Sequence, residues 1–152
     1  MAHGAWKRAE PWRDRFRTPR VVDLINAAPG STAAIVRAVR EQVIANTEST
    51  EAVRWLGIPW RWTLAFTRRG TDEPWLYLVP NPAEPRIAAV LSAEFVESLL
   101  RTCVVKSVRE GAASARVVGA TAWVEWRVES VAVARVVLQT VMSASPEAGV
   151  GA

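Results

Sequence analysis

The sequence predicts a single-domain α+β fold with an antiparallel sheet flanked by helices. Apolar residues recur at helical spacing in several segments, whereas apolar and polar residues alternate in the middle of the chain. The turn residues Gly70, Asp72 and Pro74 can join two of the alternating segments as an antiparallel hairpin with a long loop. A length of 152 residues suits one hydrophobic core, since separate domains usually need about 100 to 200 residues each.

Two helices are expected at the start of the domain. Residues 21–28 predict a short helix with Val22 and Ile25 facing inward and Val21 as a further candidate, ended by the Pro-Gly turn that follows. The side chain of Ser31 can accept a hydrogen bond from the free amides of a second helix. The inward stripe of that second helix is Ile35, Val36, Val39 and Val43.

Strands are expected where apolar and polar residues alternate or where β-branched and aromatic residues cluster. The expected strands are residues 52–56, 62–67, 75–79, 86–91, 103–109, 115–118 and 121–128. The polar residues 46–51 end the second helix before the first of these strands. A turn at Gly111 is expected to separate the fifth strand from the sixth.

Two later helices are predicted by serine residues that precede apolar stripes. Ser92 is positioned to cap the first of these helices, and Ser130 the second. The stripes are Phe95, Val96, Leu99 and Leu100 in the first helix, and Val133, Val136, Val137 and Val141 in the second. Because the second stripe is rich in β-branched valine, a strand remains the alternative there.

Both ends of the chain are expected to lie outside a single domain formed by residues 21–143. Residues 1–20 carry charges, prolines and aromatic rings without apolar periodicity, which predicts a flexible basic arm. The formal net charge of the chain is +4, and this excess lies wholly in the arm. Residues 144–152 are mostly small, which predicts a disordered tail.

The sequence excludes several classes of site from the folded part. The single histidine, His3, lies in the arm, so a histidine-based metal cluster, a Ser-His-Asp triad and a Cys-His pair each lack an essential member. The sequence has no glycine-rich phosphate-binding loop. Paired carboxylates such as Glu94 and Glu97 are expected to be solvated rather than catalytic. We therefore predict no catalytic residue, no metal site and no cofactor.

A cytoplasmic location without membrane association is predicted from three features. The N-terminal segment is too densely charged for an export signal. No apolar run reaches the roughly 20 residues that a membrane span requires. Cys103 is the only cysteine, which excludes an internal disulfide and agrees with a reducing compartment.

Eight tryptophans are the most unusual feature of the composition. Trp123 shares one face of its expected strand with Glu125 and Arg127, so its ring can line a cleft that stacks a planar or cationic ligand. We predict a Trp-lined binding cleft on the sheet at this point, with Trp62 and Tyr77 nearby. The alternative for Trp62 is core packing, and the alternative for Trp123 is to cover a sheet edge or to receive the arm.

Four segments of the chain resemble a known group of small bacterial domains. They are residues 57–64 (GIPWRWTL), 68–70 (RRG), 76–80 (LYLVP) and 123–130 (WVEWRVES). In this order they resemble the bacterial domain-of-unknown-function family numbered three-seven-eight-eight. The opening helices and the stretch from Trp55 to Pro59 are more distantly similar to the YdhG-like group. The resemblance implies an α+β fold with an antiparallel sheet, and it brings no known catalytic residues.

The leading hypothesis for function is a non-catalytic binding domain whose partner is a small molecule or a protein. The alternative is association of nucleic acid with the arm, where Trp6, Trp12 and Phe16 are interleaved with basic residues. An enzyme or an iron chaperone has less support. Some YdhG-like members are described as frataxin-like iron chaperones, a function that needs a ridge of carboxylates, whereas the acidic residues here are scattered.

Overall fold

The computed structural model describes residues 11–144. Its main helices are α1 (Val21–Ala27), α2 (Gly30–Asn46), α3 (Ala93–Thr102), α4 (Lys106–Ala113) and α5 (Val131–Ser143). Its strands are β1 (Ser49–Trp55), β2 (Trp62–Arg68), β3 (Pro74–Val79), β4 (Arg86–Ser92), β5 (Arg116–Val118) and β6 (Thr121–Arg127). None of the helices in this range is long and apolar enough to cross a bilayer.

Six strands within the described range form one antiparallel sheet in the order β1-β2-β3-β4-β6-β5. The first four strands pair in chain order, and α3 and α4 are inserted between β4 and β5. The chain then returns so that β6, and not β5, lies beside β4. The predicted α+β class with an antiparallel sheet is confirmed.

The two faces of the sheet have different side chains because successive residues of a strand point to opposite sides. One cross-strand row consists of Leu64, Leu78, Ile87 and Trp126, all buried in the core that the helices complete. We call this side the helix face. The neighbouring row, on what we call the second face, consists of Ala65, Tyr77, Ala88 and Glu125.

Two of the three expected caps are found, and one of the expected helix stripes is buried in full. The predicted α2 stripe is buried throughout. The Oγ atom of Ser92 accepts a hydrogen bond from the amide of Phe95 at 3.0 Å, and Ser130 Oγ accepts one from Val133 at 3.1 Å. Residues 131–143 are therefore helical, which decides against the alternative of a strand. The prediction for Ser31 is wrong, because α2 begins at Gly30 with Pro29 in the N-cap position.

The expected strand over residues 103–109 is wrong, because most of that segment belongs to α4. Val108, Gly111 and Ala112 are the buried residues of this helix, and their spacing of three and one is helical. Two of them are so small that the stripe is inconspicuous in the sequence. Gly111, expected in a turn, lies inside α4 and packs against the ring of Trp126.

Three smaller expectations also differ from the structure. Strand β1 begins at Ser49, inside the polar run that was expected only to end α2. In α1 the buried side chains are Leu24 and Ile25, whereas Val22 is exposed. Leu100, at the end of the predicted α3 stripe, is also exposed.

The segment before α1 is attached to the domain, although the sequence placed it in the arm. Trp12 is only 6% exposed and belongs to the core. The indole nitrogen of Trp62 donates to the carbonyl of Asp14 at 2.7 Å, and the guanidinium of Arg61 lies 5.4 Å from the centre of the Trp12 ring. The core therefore starts at Trp12 rather than at residue 21. Residues 1–10 and most of the predicted tail lie outside the described residues.

Candidate functional site

Three aromatic rings meet on the second face of the sheet. Trp60, Tyr77 and Trp123 have ring centroids 5.2 to 6.0 Å apart, with every pair in contact. Tyr77 pairs with Ala65 on one side and with Ala88 on the other, and both alanines are buried. Small side chains on the two neighbouring strands leave room for the rings to lie against the sheet. We call Trp60, Tyr77 and Trp123 the aromatic cluster.

Trp60 joins the cluster from the loop between β1 and β2. Gly57 has a φ of +83°, a backbone conformation that favours glycine, and Arg61 has a φ of +60°. The loop closes where the amide of Leu56 donates to the carbonyl of Arg61 at 3.0 Å. This closed turn brings Trp60 over the second face, within reach of Tyr77 and Trp123.

Burial in the cluster alters the acidity of Tyr77. The loss of solvent around the phenol raises its pKa, and the positive charge of Arg54 opposes this only in part. Tyr77 therefore stays neutral at physiological pH and can donate a hydrogen bond.

A chain of ionic contacts lies beside the cluster. The indole nitrogen of Trp123 donates to Glu125 Oε2 at 3.0 Å, and Arg86 donates to Glu125 Oε1 at 3.4 Å. Arg86 also donates to Glu84, and Arg127 Nε lies 3.5 Å from the Glu84 carboxylate. The hydrogen bond from Arg86 lowers the pKa of Glu84, and the same bond raises the pKa of the Arg86 guanidinium. Glu84 is therefore ionised at neutral pH, and the shared contacts with Arg86 hold Glu84 and Glu125 in fixed positions.

The cluster and the ionic chain border a cleft of about 290 Å³. Its lining residues are Arg86, Ser114, Arg116, Trp123, Glu125, Trp126 and Arg127. Three guanidinium groups and one carboxylate line the cleft, and Glu84 beside it pairs with Arg86 and Arg127, so one positive charge remains in excess and the cleft is electropositive. We call it the Trp123 cleft.

A second depression adjoins the Trp123 cleft on the other side of β6. It measures about 710 Å³ and lies between α4 and the end of β6, with Lys106, Ser107 and Glu110 among its lining residues. The two depressions share four residues, Ser114, Glu125, Trp126 and Arg127. We call the second depression the α4 groove.

The structure brings together most of the predicted site. Trp123, Glu125 and Arg127 line the Trp123 cleft, and Tyr77 supports it through its ring contact with Trp123. The prediction that Trp62 lies near them is wrong. Trp62 is on the helix face, buried, with its ring 5.5 Å from that of Trp55, because the period of two places it with Leu64.

Among the residues of the site that the sequence did not predict are Trp60, Arg86 and Arg116. Trp60 lies in a loop whose shape has no sequence periodicity, and Arg86 is brought in by the pairing of β4 with β6. Arg116 could have been found. The two-residue connection Gly119-Ala120 is typical of a tight hairpin, and that turn fixes Arg116 opposite Trp123.

No cluster of three or more His, Cys, Asp or Glu side chains with the geometry to hold a metal ion occurs in residues 11–144.

No protein-family model, no curated protein and no solved structure matches this chain.

Proposed function

We propose that this protein is a non-catalytic binding domain whose ligand occupies the Trp123 cleft. The observation that carries the proposal is the position of Trp123. Its ring forms a wall of an electropositive cleft, while Tyr77 and Trp60 pack against it and hold it in place. A fixed aromatic wall with convergent charged groups is typical of a small-ligand site.

The charges of the cleft favour an anion over the cationic ligand that the sequence allowed. Both oxygens of Glu125 already accept hydrogen bonds, one from Trp123 and one from Arg86. Arg116 has no ion-pair partner among residues 11–144, and the side chain of Arg127 is 69% exposed. Arg127 already contacts Glu84 through Nε at 3.5 Å, so Arg116 is the main guanidinium left for a carboxylate or phosphate of the ligand, and the exposed Arg127 can share that anion.

Binding is proposed rather than catalysis because the cleft has no free group that can act as a general base. Glu125 is the one carboxylate of the lining, and its two oxygens are engaged by neighbouring donors. Arginine stays protonated at any physiological pH and cannot act as a base. These groups can hold and orient an anion.

The experiment is an NMR titration that follows the indole N–H signals of the full chain. The Trp123 signal is identified from its loss in a Trp123→Phe variant, and benzoate, N-acetylglutamate and inorganic phosphate are the probes. We expect at least one of these anions to shift the Trp123 signal to saturation. The shift should be lost in Arg116→Glu and retained in Arg37→Glu, which changes the net charge equally at an exposed position on α2.

Two results would contradict the proposal. If none of the three anions moves the Trp123 signal, the cleft is not an anion site. If Arg37→Glu weakens binding as much as Arg116→Glu, the effect comes from net charge and not from the cleft.

Nucleic-acid association through the basic arm is the second candidate. Phe16 is 88% exposed and stacks with Arg15 at 5.2 Å, which suits contact with a base and a phosphate. Trp12, by contrast, is buried in the core, so its ring is not accessible for stacking on a base. The test is binding of a single-stranded oligonucleotide to an Arg15→Glu, Arg17→Glu variant, since deleting residues 1–20 would also remove Trp12. Unchanged affinity would exclude this candidate.

A cytoplasmic location is part of the proposal. It is supported by the single cysteine, Cys103, which suits a reducing compartment.

A further inference from the structure

The hydrogen-bonding directions along β6 can be read from its two ends. The amide of Val128 donates to the carbonyl of Pro85 at 3.1 Å, and the carbonyl of Ala120 accepts from Ala93 at 2.8 Å. Both bonds join β6 to the β4 side. Because the backbone groups of an antiparallel strand alternate between its two neighbours, the even-numbered residues of β6 bond towards β4. The odd-numbered residues point the other way.

The edge of β6 that faces away from β4 is paired with β5 over only half of its length. Thr121 and Trp123 pair with β5, whose first residue, Arg116, lies opposite Trp123. Beyond this point no described strand lies next to β6. The backbone N–H and C=O groups of Glu125 and Arg127 therefore face an edge without a strand, and no turn, loop or cap bond among the described residues uses them.

Two depressions flank this edge. The Trp123 cleft lies on the second face, the α4 groove lies on the helix side, and the two meet at Glu125, Trp126 and Arg127. An extended peptide on the edge would send alternate side chains into the two depressions. A small ligand in the Trp123 cleft alone would leave the edge and the α4 groove empty.

The charged side chains beside this edge favour an acidic peptide. Side chains on the second face of an added strand would lie beside Arg116 and Arg127, while Glu125 is already neutralised by Arg86. Acidic side chains are therefore favoured at alternate positions of the peptide. A second copy of this chain is disfavoured, because pairing the same edge with itself would bring two sets of these arginines together.

We propose that the ligand of this domain is an acidic segment of polypeptide that adds to β6 as a short strand beside Glu125 and Arg127. The proposal rests on the function proposed above and names the partner of the same cleft. The backbone of the segment bonds to the free edge, one or two glutamate or aspartate side chains enter the Trp123 cleft, and the intervening side chain enters the α4 groove.

The test compares two variants of Arg127 in the full chain. Arg127→Ala removes the side chain and keeps the backbone N–H, whereas Arg127→Pro removes both, and proline is tolerated on a strand where the N–H faces an open edge. The probe is the blocked pentapeptide acetyl-Thr-Glu-Val-Glu-Thr-amide, with N-acetylglutamate amide as the small anion. Binding is followed by the Trp123 indole signal. We expect the pentapeptide to bind Arg127→Pro about tenfold more weakly than Arg127→Ala, the effect of one lost hydrogen bond.

A second measurement does not depend on the folding of the proline variant. In the unmodified chain, the pentapeptide should slow the hydrogen exchange of the amides of Glu125 and Arg127, while N-acetylglutamate amide should not. Equal affinity of the two variants for the pentapeptide, or no protection of these amides, would overturn the added strand.

The outcomes separate this inference from the function on which it rests. If N-acetylglutamate amide binds as tightly as the pentapeptide, the cleft is an anion site and the added strand is wrong. If neither compound moves the Trp123 signal but benzoate or phosphate does, only the added strand is wrong, and if benzoate and phosphate are silent as well, both proposals fail. If sedimentation shows a dimer that the pentapeptide does not dissociate, the edge is occupied by a second copy and the inference is wrong.

Discussion

Gly111 in α4 lies directly against the indole ring of Trp126 in β6. A Cβ atom on residue 111 would be 2.8 Å from Cγ of Trp126 and closer still to two other ring atoms. The same ring donates from Nε1 to the carbonyl of Val108, one turn earlier in α4, at 3.1 Å. The glycine therefore lets the helix approach closely enough for the tryptophan to bond to its backbone.

We expect Gly111→Ala to destabilise the protein by about 1 to 3 kcal/mol, the usual cost of overpacking a core. The Trp126 ring is 2% exposed and bonded to Val108, so moving away from a new methyl group would break that hydrogen bond and disturb the core. The free energy of unfolding in urea measures this change. Gly30→Ala is the matched control, since a Cβ there meets nothing within 4 Å. Equal stability of the two variants would show that α4 does not approach Trp126 so closely.

Trp12 gives the second prediction, because it decides whether the segment before α1 belongs to the fold. Trp12→Ala should cost about 3 to 5 kcal/mol in unfolding free energy, as expected for a buried tryptophan. Phe16→Ala, four residues later and exposed, should cost less than about 0.5 kcal/mol. If the two substitutions have similar small effects, residues 11–20 are an arm, as the sequence suggested.

A second substitution of Trp12 tests the polar end of the ring. The Nε1 atom of Trp12 is buried and has no hydrogen-bond partner among residues 11–144. Trp12→Phe removes this group and keeps most of the apolar surface, so it should cost much less than Trp12→Ala. A cost equal to that of alanine would indicate that the indole nitrogen does have a partner.

Rules that act over a few residues account for what the sequence predicted correctly. Alternation placed Trp123, Glu125 and Arg127 on one strand face, and the turn residues at 70–74 placed β2 and β3 in a hairpin. The serine caps at the starts of α3 and α5 are equally local. Each of these features depends on spacing alone, so no knowledge of strand order was needed.

The missed features depend on contacts between distant parts of the chain. Arg86 reaches Glu125 only because β4 pairs with β6 across α3, α4 and β5. The buried stripe of α4 consists partly of glycine and alanine, whose role appears only when Trp126 is placed against them. Trp12 has no apolar periodicity around it, and its burial depends on Trp62 and Arg61 from another segment.

Two ion pairs of different burial give a matched comparison of electrostatic stabilisation. Arg40 on α2 contacts Glu51 on β1 through two hydrogen bonds of 2.6 and 2.9 Å, and the Glu51 side chain is 15% exposed. The hydrogen bonds that Arg40 donates to Glu51 raise the pKa of Arg40. Arg69 and Glu48 form the control pair at 3.4 Å, with both side chains largely exposed.

Double-mutant cycles to alanine should separate the two pairs. We expect a coupling energy of about 1 to 3 kcal/mol for Arg40 and Glu51, because the contact is bidentate and half-buried. For Arg69 and Glu48 we expect less than about 0.5 kcal/mol, because solvent screens the charges. The measurement is the unfolding free energy of each single and double variant. Equal coupling energies in the two cycles would show that the contact between Arg40 and Glu51 does not stabilise the packing of α2 on β1.

Tyr77 gives the last prediction, because it is the only tyrosine and its ionisation can be followed without interference. Burial raises the pKa of the Tyr77 phenol in the folded protein, whereas the unfolded chain ionises near pH 10. The free energy of unfolding is therefore unaffected by Tyr77 ionisation below about pH 10. It falls as the pH rises from there through the pKa of Tyr77 in the folded protein, because the unfolded chain loses the phenol proton first. Absorbance of the tyrosinate in the folded protein should appear above pH 10 and at lower pH in denaturant.

Two variants test the cause of this pKa shift. Trp123→Ala removes a ring that covers Tyr77 and should move the pKa back towards its ordinary value. Arg54→Ala removes the positive charge that opposes the shift and should raise the pKa further. The control is Arg37→Ala, an exposed residue on α2, which should leave the titration unchanged. If Trp123→Ala leaves the titration unchanged as well, Trp123 does not enclose Tyr77. The proposal that Tyr77 holds Trp123 in place as a wall of the Trp123 cleft would then be wrong.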